Sequence, residues 1–96
     1  MTDRNELVER LEGRLDQWDR QIEQLQTRTD RLDTEARTAW QQSLDRLRDR
    51  RDQARQQLDE LRSASADTWQ ELRAGAEQAW QELGDAVRSA ADQLKQ

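Results

Sequence analysis

Residues 7–36 read LVERLEGRLDQWDRQIEQLQTRTDRLDTEA, and their spacing decides the fold: Leu7, Leu11, Leu15, Trp18, Ile22, Leu25, Thr29, Leu32 and Ala36 follow one another in steps of four and three. Such a stripe stays on one face of an α-helix and forms a heptad seam that another helix must cover. Just ahead of it, Asp3 is followed three residues later by Glu6. That is a capping box, in which the Asp side chain accepts an orphan amide and the Glu reaches back.

Beyond Ala36 the steps become Trp40, Leu44, Leu47, which inserts one extra four-residue step before the pattern resumes through Arg51, Ala54, Leu58 and Leu61. A stutter of this kind shifts the heptad phase and locally unwinds a supercoil. In the last third the period is eleven. Leu61, Leu72, Leu83 and Leu94 are spaced by it, as are Trp69 and Trp80, and TWQELRAGAEQ (68–78) runs directly into AWQELGDAVRS (79–89). Internal duplication is the simplest origin, and a stripe of that period runs nearly straight. Gly75 and Gly84 lie inside the repeat and read as packing features or weak points, each costing about 1 kcal/mol against Ala.

Two stretches can break the helix. SASAD (63–67) brings cap-forming Ser63, Ser65 and Asp67 together just before the tryptophan repeat. TRTDRLDT (27–34) is also rich in cap formers, but the four-three phase passes through it undisturbed, so it ranks second. The favoured arrangement is therefore an all-α long helical hairpin or coiled coil. It has a heptad helix over 1–62, a turn at 63–67 and an amphipathic eleven-residue-repeat helix over 68–96. The alternative is a three-helix bundle turning near 30 and 64. Folding at residue 64 predicts an intramolecular seam of Leu32, Ala36, Trp40, Leu44, Leu47, Leu58, Leu61, Trp69, Leu72, Trp80, Leu83, Val87 and Leu94. Trp69 then lies level with Leu58 and Leu61, Trp80 with Leu44 and Leu47, Val87 with Trp40, and Leu94 with Leu32 and Ala36.

In that hairpin the second helix is exhausted near residue 32, which leaves Leu7, Leu11, Leu15, Trp18, Ile22 and Leu25 uncovered. Burying each such side chain contributes about 1.5 to 3 kcal/mol, so exposing them all forfeits on the order of 10 kcal/mol, a whole domain's stability. Self-association through these six residues is the expected remedy, as an antiparallel dimer with closed two-fold symmetry. On that reading Ile22→Asp would turn dimer into monomer.

Composition narrows the function classes. The chain has 96 residues, 32% hydrophobic and 39% charged, without Pro, Cys or His. The apolar content suits a seam rather than a thick core. Lacking thiol and imidazole, the chain cannot use disulfides, thiolate chemistry, Ser-His triads or the usual zinc sites. Carboxylate pairs such as Asp16 with Asp19 and Asp30 with Asp33 share a helix face, but acid/base work needs a dry pocket that a thin bundle does not provide. No catalytic, cofactor or metal residues are assigned, and a non-enzyme is expected. No stretch approaches the ~20 apolar residues of a membrane span, and no signal-peptide pattern opens the chain, so a cytoplasmic location is the default expectation.

Net charge is -5, from 16 basic and 21 acidic residues interleaved along the chain, which disfavours nucleic acid as a partner. The local exception, RLRDRRDQAR (46–55), reads as a solvated face of paired Asp and Arg. The four tryptophans, Trp18, Trp40, Trp69 and Trp80, read as wedges in helix seams. A membrane surface could be met by Trp69 and Trp80. It is disfavoured because residues 63–96 carry only Arg73, Arg88 and Lys95 against six acids.

The stretches LEGRLDQWDRQIEQL, LDRLRDRRDQARQQLDEL and DTWQELRAGAEQAWQELGDAV resemble a widespread group of small bacterial coiled-coil-domain proteins of unknown function. The resemblance implies a bacterial origin and a long-helix fold, with no activity or site residues to transfer. The eleven-residue repeat alone is similar to exchangeable apolipoproteins and desiccation-protective helical proteins. The expected function is structural or adaptor work through helix-helix contact with itself or another helical protein; the alternative is reversible lipid-surface binding.

Overall fold

Three stripes of equal length meet along one axis. The computed structural model describes residues 2–95, with side chains from Arg4 to Leu94, and contains α1 (Thr2–Asp30), α2 (Thr34–Ser63) and α3 (Ala66–Lys95). The helices have 29, 30 and 30 residues and run up, down and up in a rod of 51 × 18 × 16 Å. The all-α expectation holds, in its three-helix form. The continuous helix expected over 1–62 is broken at residues 31–33.

The stop at the end of α1 is local and the reversal is driven by burial. Arg31 and Leu32 donate their amides back to Arg28 and Thr29 at 3.2 and 3.0 Å, tightening the last turn. Asp33 then starts α2 as an extended N-cap whose carboxylate accepts the Ala36 amide at 3.0 Å. A cap contributes only about 1 kcal/mol. The stripe on α1 outweighs it, since leaving those side chains in water would forfeit on the order of 10 kcal/mol. Folding back at 31–33 covers it within one chain. An undisturbed phase did not argue against a turn, because α1 and α2 point the same stripe at a common axis from either side of the reversal. The capping box expected at Asp3 rests on a side chain outside the described residues, and α1 already runs from Thr2.

The second turn lies where expected. Ala64 is extended, and Ser65 immediately precedes α3, its carbonyl taking the Trp69 amide at 3.0 Å. The pairing across this turn is about one helical turn further along α3 than a fold at residue 64 suggested. Leu47 and Ser43 flank a groove with Ala86, Ser89 and Ala90, and Ala54 lies beside Ala79 and Leu83. In a helix each side chain leans toward the N-terminus, and in an antiparallel pair the two leans add.

The core comprises Leu7, Leu11, Leu15, Ile22 and Leu25 from α1, Leu44, Leu47, Ala54, Leu58 and Leu61 from α2, and Ala76, Trp80, Leu83, Val87 and Ala90 from α3. The self-association surface expected from sequence is thereby corrected: five of its six residues are buried inside the single chain and Trp18 is half-buried. No overhang is left, because α3 reaches along the full length of α1. Of the expected intramolecular seam, Leu44, Leu47, Leu58, Leu61, Trp80, Leu83 and Val87 are buried, while Leu32, Ala36, Trp40, Trp69, Leu72 and Leu94 are half-buried. Thr29 is wholly buried, and its hydroxyl is satisfied by the Leu25 carbonyl at 2.8 Å.

Ile22 is 1% exposed. Ile22→Asp should therefore unfold the bundle at every concentration instead of dissociating a dimer, by on the order of 4 kcal/mol or more. Urea denaturation followed by circular dichroism measures the loss, and a folded, fully helical variant would refute the packing. The glycines give a second test. A Cβ at Gly13 or Gly75 meets nothing within 4 Å, whereas one at Gly84 comes to 3.0 Å of Trp18 Cζ2. Gly75→Ala should stabilise the fold by about 1 kcal/mol and Gly84→Ala by clearly less, read from the same denaturation curves.

Candidate functional site

The polar side chains are distributed unequally among the three seams. Between α1 and α2, Asp19 places Oδ1 3.2 Å from Arg51 and Oδ2 2.8 Å from Arg55. Burial works against the Arg51 charge, but Asp52 and Asp19 together outweigh it and hold the guanidinium above its ordinary pKa. Glu12 meets Arg62 at 2.7 Å, and Gln26 accepts from Arg48 at 2.9 Å while donating to Gln41 at 2.8 Å. These contacts absorb much of the arginine run at 46–55. Among the described residues no ion pair joins α3 to another helix. Its one inter-helix hydrogen bond among them runs from the Trp80 indole N–H to the Leu11 carbonyl at 2.9 Å.

Each tryptophan has a different setting. Trp80 is buried, and its ring lies 6.5 Å from that of Trp18, tilted by 51°. Gly84 lets the Trp18 ring settle against the α3 backbone. Trp69 sits under the Arg4 guanidinium, 4.9 Å from the ring centroid. Trp40 is half-buried in the groove between α2 and α3.

Arg4 is a residue that sequence reasoning missed. Its Nη2 donates to the carbonyls of Leu61, Arg62 and Ala64 at 2.8, 3.1 and 2.5 Å. The α2 C-terminus has unpaired carbonyls and a partial negative charge there, so a cation is well placed. One side chain thus clasps the start of α1 to the second turn. No local pattern signals it, since the two partners lie about sixty residues apart.

Two open grooves flank α3. One, of about 440 Å³ between α1 and α3, is lined by Trp18, Gln21, Gln24, Arg28, Arg88 and Asp92 among others. The other follows α2 and α3 in two parts of about 240 and 270 Å³, both lined by Arg50. Trp40, Arg46 and Ala86 line the first part, and Gln57, Ala79 and Glu82 the second. Gln57 Oε1 in this groove is buried without a hydrogen-bond partner. The carboxylates considered for acid/base work are elsewhere engaged: Asp19 with arginines, Asp30 with Gln26 and Asp33 with the α2 cap; Asp16 is exposed. Among the described residues no three acidic side chains converge on a point that could hold a metal, and no helix is long and apolar enough to cross a membrane.

Compared with known proteins, the chain has no significant match to any family model, curated protein or solved structure.

The clasp is testable. Arg4→Met keeps the stem but removes the donors and should cost about 1 to 2 kcal/mol. Arg4→Lys should recover only part, because an ammonium cannot match a planar fork that also stacks on an indole. Thermal denaturation distinguishes the three proteins, and equal melting of all three would show that the clasp adds nothing to stability.

Proposed function

We propose that this chain is a non-enzymatic structural or adaptor module that acts through helix-helix contact, with the α2–α3 groove as its working surface. The observation that carries this reading is the incomplete cover over α3. Trp40, Ala79 and Ala86 are half-buried along an open groove, where a large ring lies on α2 opposite small side chains of α3. Small residues admit a close-lying helix, and a half-buried indole is a typical anchor at such a contact. Arg46 and Arg50 edge the groove on the α2 side, so a partner helix with an acidic flank suits it.

A second reading, reversible attachment to a lipid surface, is favoured by the same partly covered stripe on α3. It requires the bundle to open, since Trp80 is buried with its N–H held by α1 and Trp69 is covered by Arg4. Co-sedimentation with zwitterionic and anionic vesicles separates the two readings.

A photo-crosslinking side chain placed at exposed Ser89, beside the groove, should capture one discrete species in the native host. The same group at exposed Glu9 on α1 should not. Trp40→Ala should reduce the Ser89 product at least about tenfold while helicity stays near wild type. Identical products from both positions, or none from Ser89, would overturn the groove as the working surface.

A further inference from the structure

The first turn contains nothing that obliges the chain to reverse. Only residues 31–33 are non-helical between α1 and α2, and they include neither Gly nor Pro. No described residue has a positive φ. Asp33, at φ -67 and ψ 169, needs a rotation about ψ alone to become helical. The seam is continuous in phase across the turn, because Leu25, Thr29, Leu32 and Ala36 keep four-three spacing. Straightened, residues 2–63 would form one helix of about 90 Å whose apolar stripe runs in phase through the hinge to Ala36 and shifts only at the stutter beyond it.

The second turn is different. Arg4 ties the carbonyls of Leu61, Arg62 and Ala64, and the guanidinium packs on Trp69. The first turn is closed by the Asp33 carboxylate on the Ala36 amide and by the two short amide bonds at the end of α1. Of the two hinges, it is the one held only by its own residues.

We propose that residues 31–33 are a hinge on which α1 swings out to dock on α2 and α3 of a second copy of this chain, forming a two-fold dimer by exchange. Because α1 and α2 are antiparallel in the bundle, exchange lays the two long helices antiparallel, with the hinges crossing near the two-fold axis. Each α1 then meets the same partners as before: Trp80 for the Leu11 carbonyl, Arg51 and Arg55 for Asp19, Arg62 for Glu12. The contacts of the closed bundle are reproduced between chains, and the hinge residues of both copies become helical. Only the Asp33 caps are lost, together with the freedom of two separate molecules. The balance therefore depends on concentration. This inference rests on the helix-helix reading of function, but it uses α1 and leaves the α2–α3 groove intact, so the two fail independently.

Two substitutions push the hinge in opposite directions. Asp33→Ala removes a cap that only the closed turn uses, shifting the balance toward the dimer about fivefold per chain. Thr34→Pro suits the first position of α2, where the preceding residue is already extended, but breaks a straight helix. It should oppose the dimer on the order of a hundredfold per chain. The proteins are concentrated from micromolar to millimolar and weighed by light scattering, with helicity checked by circular dichroism. Exchange is identified by Glu12→Cys with Arg62→Cys, joined by a short bis-maleimide in a chain that has no other cysteine. Expected are a dimer that grows with concentration, more of it for Asp33→Ala, little for Thr34→Pro, and cross-links between chains in the dimer fraction alone. Wild-type and Asp33→Ala proteins that stay monomeric throughout, a dimer unaffected by Thr34→Pro, or a dimer cross-linked only within each chain would overturn the proposal.

Discussion

The structure depends on covering the apolar stripe of α1. With 32% hydrophobic residues the chain can fill little more than one row of side chains around an axis, and the 18 × 16 Å cross-section is the result. Three helices of nearly equal length are the arrangement in which each stripe is covered along its whole length without another molecule. The positions of both turns follow from that requirement, since moving either one would leave part of a stripe in water.

The three helices solve the burial problem differently. α1 and α2 offer narrow heptad seams and fill the remaining width with charge. Arg51 occupies a seam position on α2 that Leu47 and Ala54 bracket, and its guanidinium turns outward to Asp19. α3 carries more apolar and small residues, and among the described residues it brings no ion pair to the other helices. The largest side chain of the core is on this helix, and Trp80 fits because its N–H finds a carbonyl on α1. Gly84 provides the complementary concession, withholding a Cβ where the Trp18 ring lies.

Much of this was legible in the sequence because it is periodic. The stripe from Leu7 to Ala36, the eleven-residue repeat and the break at 63–67 all rest on residue spacing, which a helix converts directly into position. The break at 31–33 was legible only as a choice between two cap-rich stretches. Phase continuity argued against it, and phase is blind to whether a stripe is covered by a second molecule or by the same chain turned back. The lining of α3 was read incompletely: Trp80, Leu83 and Val87 were expected inside, but Ala76 and Ala90 were not. Small residues carry a weak hydrophobic signal even where close approach buries them. The Arg4 clasp and the Trp80–Leu11 bond were out of reach, because each joins a side chain to a distant backbone carbonyl whose identity leaves no mark on the sequence. For the candidate site, Trp40 was named as a seam residue, but the groove beside it is a property of three-dimensional shape.

The polar lacing between α1 and α2 is better understood as a register device than as a source of stability. Partly exposed ion pairs each contribute about 0 to 1 kcal/mol, well below what the leucines on the same helices supply. A slip of one heptad would still bury leucine against leucine. It would not keep both oxygens of Asp19 between Arg51 and Arg55 while Glu12 meets Arg62 and Gln26 sits between Gln41 and Arg48. Charged groups at the seam edge, left without partners, would then oppose the slipped arrangement even though they add little to the correct one. α3 shows no such lacing among the described residues, and its position along the bundle is set instead by the indole of Trp80 anchored to Leu11, the notch at Gly84, and the two-residue turn that Arg4 holds from the start of α1.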